Sequence, residues 1–170
     1  MKRMILVFSV VLVLILTSCG SQDSLKDIAS ELGIDVSSGE EITSFDNHGG
    51  FHGDGTTYIV LSFSDDHVLE QIENHNQWKK FPLDEAVRML VYGISDETSS
   101  RGPFLTDSEG NALIPEIQNG YYFLVDRQEK NPVFSDITAE AEILDRSSLN
   151  FTLALYDADT NMLYYCKYDS

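Results

Sequence analysis

Two alternating segments at the C-terminal end constrain the fold of this chain most strongly. In the first segment, every second side chain is large and apolar: Leu149, Phe151, Leu153 and Leu155. The second segment, Met162 to Tyr168, is apolar and aromatic, and the residues between the two, Asp157 to Asn161, are typical of a turn. A side-chain period of two is that of a β-strand that buries one face. We therefore predict an antiparallel β-hairpin over residues 149–168.

The rest of the pattern predicts further strands and helices. Strands are predicted over three segments: Glu41–Phe45, Thr56–Phe63 and Tyr121–Asp126. Helices are predicted at three places: from a capping box at Ser24 to Leu32, after Ser64, and between Pro82 and Gly93. The segment Ile137–Leu144 fits a short helix or a strand equally. The predicted fold class is α+β, with a mainly antiparallel sheet of about five strands and two or three helices packed on one face.

The first residues of the chain have the composition of a signal peptide. Lys2 and Arg3 precede thirteen residues, Met4 to Leu16, which are apolar except for Ser9. A helix of this length spans about 20 Å, whereas the hydrocarbon core of a bilayer is about 30 Å thick. The segment is therefore too short for a permanent membrane span and has the length of a signal-peptide apolar region.

The segment Leu16-Thr17-Ser18-Cys19 resembles the lipobox of bacterial lipoproteins at all four positions. The resemblance implies that residues 1–18 are removed and that Cys19 carries a diacylglyceryl group, since two acyl chains anchor a protein stably. Residues 19–23 would then be the lipidated N-terminus and a short tether, and residues 24–170 a single globular domain. The resemblance also implies the extracytoplasmic face of the cell membrane. Because Gly20 replaces the Asp that marks inner-membrane retention, an outer-membrane location is expected in a Gram-negative cell.

The chain is strongly acidic, with 28 acidic and 11 basic residues. Removal of Lys2 and Arg3 with the leader leaves nine basic residues against 28 acidic ones, a net charge of −19. Such a chain repels phosphate backbones and anionic lipid head groups, so we expect no nucleic-acid partner and membrane contact through the lipid anchor. Two interpretations of the charge stay open: it keeps the domain soluble, or it attracts a cationic protein or peptide partner. In composition the chain also resembles small acidic lipoproteins of Gram-positive gut bacteria.

A glycine-rich loop between the first two predicted strands contains three candidate metal ligands, His48, His52 and Asp54. Imidazole and carboxylate groups bind zinc and similar divalent cations. Their spacing, however, is not that of a known zinc motif, and His and Asp also satisfy backbone groups in turns. The loop is therefore either a metal site or a structural hairpin loop, and no other cofactor is expected.

Two other motifs have a structural interpretation. Asp157-x-Asp159-x-Asn161 resembles the start of an EF-hand calcium loop, but Met162 and Tyr168 stand where that loop needs Gly and Glu. We therefore predict an ordinary hairpin turn. Cys166 lies in an aromatic strand and is predicted to be a buried, unreactive thiol, and no disulfide is expected because Cys19 carries lipid.

These observations favour a membrane-anchored, non-enzymatic binding or interaction module, with a defence, immunity or exclusion role as one form of it. No nucleophile elbow or zinc-protease motif is present in the sequence, and no catalytic residue is predicted. The alternative is a metal-dependent enzyme or metal-binding protein that uses His48, His52 and Asp54.

Overall fold

The computed structural model describes residues 19–49, 53–95, 100–128, 143 and 146–170. They form two units, one ending at Ser38 and the other running from Gly39 to Ser170. Within these residues, no helix is both long enough and apolar enough to cross a membrane.

The N-terminal unit contains helix α1, Cys19–Leu32. The predicted end of this helix is confirmed: Gly33 has a φ of 68°, which glycine adopts readily, and its N–H donates to the Ala29 carbonyl at 2.9 Å. The helix does not start at the predicted cap, Ser24, but includes the residues before it back to Cys19, the first described residue. Ile28 and Leu32 are buried.

Eight strands are described in the second unit: β1 (Glu40–Asp46), β2 (Gly55–Ser62), β3 (Lys79–Lys80), β4 (Ile94–Ser95), β5 (Ser100–Arg101), β6 (Gly120–Asp126), β7 (Asn150–Asp157) and β8 (Met162–Asp169). Six of them form one antiparallel sheet in the order β1-β2-β8-β7-β6-β3. The other two, β4 and β5, form a separate antiparallel pair.

The predicted C-terminal hairpin is confirmed, because β7 and β8 pair along their whole length. Its turn is stabilised by the Asp157 carboxylate, which accepts hydrogen bonds from the Asp159 N–H at 2.9 Å and the Thr160 hydroxyl at 2.8 Å. Asn161 has a φ of 53°, a left-handed conformation that asparagine tolerates. The three polar positions therefore act as turn residues, as predicted.

Both faces of the large sheet are covered. Helix α3 (Glu85–Tyr92) packs its Val87 and Leu90 into the main core, together with Tyr122 of β6. Helix α2 (His67–Glu73) lies on the other face: Glu73 accepts a hydrogen bond from the Tyr121 hydroxyl at 2.7 Å, and successive side chains of a strand point to opposite faces. β2 is buried on both faces, as its continuous apolar run predicts.

The predicted fold class, α+β with a mainly antiparallel sheet, is confirmed. The sheet has a sixth strand, the two-residue β3, which has no alternating pattern to reveal it. The helices of the second unit lie on both faces rather than one, because both faces carry apolar side chains. The ambiguous segment Ile137–Leu144 lies outside the described residues except for Ile143, which is buried.

Candidate functional site

Strand β1 is an exposed edge of the large sheet. It stands first in the strand order, pairs with β2, and has all seven residues exposed. In the part of the chain that the structure describes, the exposed large hydrophobic side chains are Ile42, 54 % exposed, and Phe45, 36 % exposed. Both lie on β1. Apolar side chains that are exposed together on a sheet edge indicate an interaction surface.

Part of the backbone of β1 faces away from the sheet. The N–H of Asn47 donates to the Thr56 carbonyl at 3.1 Å, and in an antiparallel ladder the bonding direction alternates from residue to residue. Phe45 therefore bonds to β2, whereas Ser44 and Asp46 direct their N–H and C=O groups to the open side. Among the described residues, no strand pairs with this side of β1, so these groups can bond to a further strand.

The two exposed apolar side chains of β1 are held differently. Ile42 lies at a register shift between Glu41 and Thr43, a β-bulge, which bends a strand and redirects its side chains. Phe45 stands opposite Tyr58 in the register, and the two ring centroids are 5.5 Å apart. The Phe45 ring therefore packs against the Tyr58 ring on the neighbouring strand, whereas Ile42, at the bulge, is the more exposed of the two side chains.

The charge of β1 is entirely negative. The strand contains Glu40, Glu41 and Asp46 and no basic residue. Asp46 accepts hydrogen bonds from the His48 N–H and the Thr57 hydroxyl, each at 2.9 Å. The bond from the His48 backbone is the largest of the effects that lower the pKa of Asp46, so this carboxylate is ionised at neutral pH.

The opposite edge of the sheet, β3, has a different character. It has only two residues, Lys79 and Lys80. The Lys79 ammonium is 2.8 Å from the Asp84 carboxylate, and the Lys80 ammonium is 5.6 Å from the centroid of the Tyr121 ring. A short strand carrying lysines is a common way to protect a sheet edge from pairing. β1 is therefore the edge suited to binding.

His48 links β1 to the far end of the chain. Its Nδ1 is 2.8 Å from Asp46 Oδ1, and its Nε2 is 3.1 Å from Asp169 Oδ2. Asp169 is also 2.9 Å from the guanidinium of Arg127, which donates to the Tyr168 carbonyl at 2.9 Å. This His48 network connects the end of β1 with the end of β8 and with the residue that follows β6.

The structure describes two of the three predicted metal ligands. Both ring nitrogens of His48 lie at hydrogen-bond distance from carboxylates, and Asp54 is exposed, with its carbonyl accepting from the Gly49 N–H at 3.3 Å. His52 lies outside the described residues, so the three-residue site stays a prediction. Among the described residues, no three His, Cys, Asp or Glu side chains are placed to hold a metal ion. Gly55 has a steric role, because a Cβ there would lie 2.4 Å from the His48 Cα.

Cys166 is fully buried, as predicted. Burial raises the pKa of its thiol well above the usual range, so the nucleophilic thiolate is disfavoured. In the neighbouring turn, Asp159 accepts from the Asn119 amide at 2.8 Å. Cys166 is therefore a core residue, and Asp159 is a hydrogen-bonding residue of the β7–β8 turn.

A groove of about 340 Å³ lies beside the start of α3. Its apolar walls include Phe81, Leu83 and Ile117, and its rim carries Arg88 and Glu116, which are both exposed. Because the rim has one group of each charge, the groove favours no particular charge in a ligand. β1, with one charge sign and a directional backbone, is the more selective surface.

Sequence reasoning does not single out Arg127 and Asp169. Asp169 is separated from His48 by 121 positions, and no local pattern links residues so far apart. The sequence contains one weak indication of this pair: each residue directly follows a predicted strand. Charged residues at the ends of neighbouring strands can lie close enough to form an ion pair.

No protein-family model matches this chain, and no curated protein or solved structure is similar to it. Its function is therefore inferred from its own side chains and backbone, among which those of β1 are the most informative.

Proposed function

We propose that this chain is a lipid-anchored extracytoplasmic protein that acts, without catalysing a reaction, as a binding module for another protein or peptide. The observation that supports binding is the exposed edge β1, where apolar side chains and free backbone groups occur on the same strand. Exposed hydrophobic area and unpaired strand edges are costly features that a protein otherwise avoids. Their combination on one edge is best explained by a partner that covers them.

The lipid anchor is supported by the leader and the lipobox resemblance. The first described helix begins at Cys19 itself, so little chain separates the proposed acylation site from folded structure. After removal of Lys2 and Arg3 the net charge would be −19, which disfavours adhesion to anionic head groups and leaves the acyl chains as the means of attachment. A metal-dependent activity gains no support from His48, whose ring nitrogens are engaged with Asp46 and Asp169.

The anchor is tested by metabolic labelling with a fatty-acid probe. Cys19→Ala should abolish labelling and leave the leader uncleaved, because the acylated sulfur is gone. Cys166→Ala is the matched control, since Cys166 is buried and should not affect labelling. Continued labelling of Cys19→Ala would show that the lipobox interpretation is wrong.

The binding function is tested by photo-crosslinking in the producing cells. A benzoylphenylalanine residue replaces Ile42 in one variant and Glu85 in another; both positions are exposed, but Glu85 lies on α3 and not on β1. The proposal predicts a discrete adduct from position 42 and none from position 85. Absence of an adduct at position 42 would contradict a binding role for this edge.

A further inference from the structure

We propose that β1 binds an extended, basic segment of its partner as a seventh strand of the sheet. This inference rests on the proposed binding function and adds the chemistry of the partner and the manner of its binding. It follows from three features of β1, namely its free backbone groups, its charge and its apolar side chains.

The backbone of β1 requires an extended partner. Seven residues at about 3.4 Å each form an edge about 24 Å long. Ser44 and Asp46 direct donor and acceptor groups outward, and only a chain in β conformation matches their spacing. A helix in the partner has no free backbone groups of this kind, so it cannot continue the ladder.

The charge of β1 requires basic side chains in the partner. Glu40, Glu41 and Asp46 stand at the two ends of the strand. Opposite charges across neighbouring strands attract, and like charges repel. A partner with Lys or Arg near both ends of its paired segment therefore complements β1.

The apolar side chains of β1 supply the contact between those ends. Phe45 is braced by Tyr58, and Ile42 projects at the bulge. β-branched side chains of the partner would pack on Phe45 and Ile42 and remove their apolar surface from water. The expected segment therefore combines basic residues with valine, isoleucine or threonine.

A second copy of this chain fits β1 poorly. Two β1 strands paired in either direction bring Glu40 or Glu41 close to an acidic residue of the other copy, and each processed chain carries a charge of −19. The basic edge β3 has only two residues, and Lys79 already pairs with Asp84. A basic segment of a different protein is therefore the favoured occupant.

The test uses the full chain purified from the producing cells in a non-ionic detergent. The probe is a fluorescent nine-residue peptide of alternating lysine and valine, and binding is measured by fluorescence anisotropy. Two control peptides carry glutamate in place of every lysine, or proline at the central position. We expect each control to bind at least about tenfold more weakly. We also expect the lysine peptide to bind more weakly as salt is raised, since salt screens exposed charges.

Variants of the protein locate the peptide on β1. Ser44→Pro removes an outward N–H that makes no bond within the sheet, and edge strands tolerate proline at such positions. Glu41→Lys reverses one charge and keeps the backbone, so it remains informative if Ser44→Pro misfolds. Both should weaken the lysine peptide at least about tenfold. Glu116→Lys is the matched control, an exposed reversal at the groove that should leave the affinity unchanged.

Equal binding of the lysine and glutamate peptides would overturn the inference, as would binding unaffected by both Ser44→Pro and Glu41→Lys. A stable dimer in light scattering that Ser44→Pro dissociates would also overturn it, by making a second copy the occupant. In the first two cases, cellular adducts between Ile42 and another protein would still support the binding function, through a partner of different chemistry; in the third, adducts between two copies of the chain would not. Absence of any adduct at position 42 would instead contradict the proposed function itself.

Discussion

Replacing Arg127 with methionine removes the guanidinium that contacts the end of β8. Its terminal nitrogen lies 2.9 Å from Asp169 Oδ1 and donates to the carbonyls of Tyr168 at 2.9 Å and Phe151 at 3.3 Å. A hydrogen bond to a charged group contributes about 1.5–3 kcal/mol, and breaking a fully buried ion pair costs about 3–5 kcal/mol. The two charged side chains are about a quarter exposed, at 26 % and 24 %. Since solvent screens them in part, we expect Arg127→Met to lower the free energy of unfolding by about 2 kcal/mol.

Urea unfolding followed by tryptophan fluorescence measures this loss. Trp78 is the single tryptophan of the chain, is buried, and has its ring centroid 5.5 Å from that of Phe123. With a urea dependence of about 1–3 kcal/mol per molar, the midpoint should fall by roughly 1 M. Arg88→Met is the matched control: the Arg88 side chain is exposed, so the change should stay below about 0.5 kcal/mol.

A double-mutant cycle separates the ion pair from the other contacts of Arg127. Combining Arg127→Met with Asp169→Asn should give a coupling free energy of about 1 kcal/mol, because each single variant breaks the same pair. A coupling near zero, or an Arg127→Met loss no larger than that of Arg88→Met, would refute a stabilising role for the Arg127–Asp169 pair.

Three further predictions concern the core, a close backbone contact and alkaline pH. Leu155 is fully buried in β7, so Leu155→Ala should lower the free energy of unfolding by about 2–5 kcal/mol, whereas Ile42→Ala at the exposed edge should change it by less than about 0.5 kcal/mol. Equal urea midpoints for the two variants would contradict this. A Cβ on Gly120 would lie 2.1 Å from the Tyr156 carbonyl oxygen, so Gly120→Ala should cost on the order of 3 kcal/mol in urea unfolding, while Gly49→Ala, where a Cβ has room, should be close to wild type. Burial raises the pKa of Tyr156 to about 12, above the unfolded value of about 10, so its contribution to stability is complete below about pH 10 and falls by about 1.4 kcal/mol per pH unit between 10 and 12. Tyr156→Phe should therefore make unfolding free energy less dependent on pH in that window, and parallel curves for the two proteins would exclude this role.

The longer strands were predictable because their patterns are local. The alternation that ends at Leu155 and the apolar run from Thr56 need no knowledge of the rest of the chain to indicate strands, and both are observed. The short strands were missed for the opposite reason. Lys79 and Lys80 form β3 because β6 lies beside them, and neither residue favours a strand by itself.

The candidate site was predictable only in part. The loop residue His48 is a candidate metal ligand in the sequence because imidazole binds metals. Its observed partner Asp169, however, comes from the other end of the chain. Asp46 is also a loop residue in the sequence pattern, and in the structure it ends β1 and bonds to His48. The folded sheet brings these separate polar residues close together, and they then form the His48 network.

The sequence by itself determined the α+β class, the main strands, the acidic charge and the burial of Cys166, because each depends on composition or on short-range periodicity. Only the tertiary structure decided which strand lies at the edge. The short pattern of β1 predicts a strand, but its position depends on β2 pairing with β8, more than a hundred residues further along the chain. Because β2 lies between β1 and β8, β1 has β2 as its one described neighbour. Its other side therefore remains open to a partner, with Ile42, Phe45 and the outward backbone of Ser44.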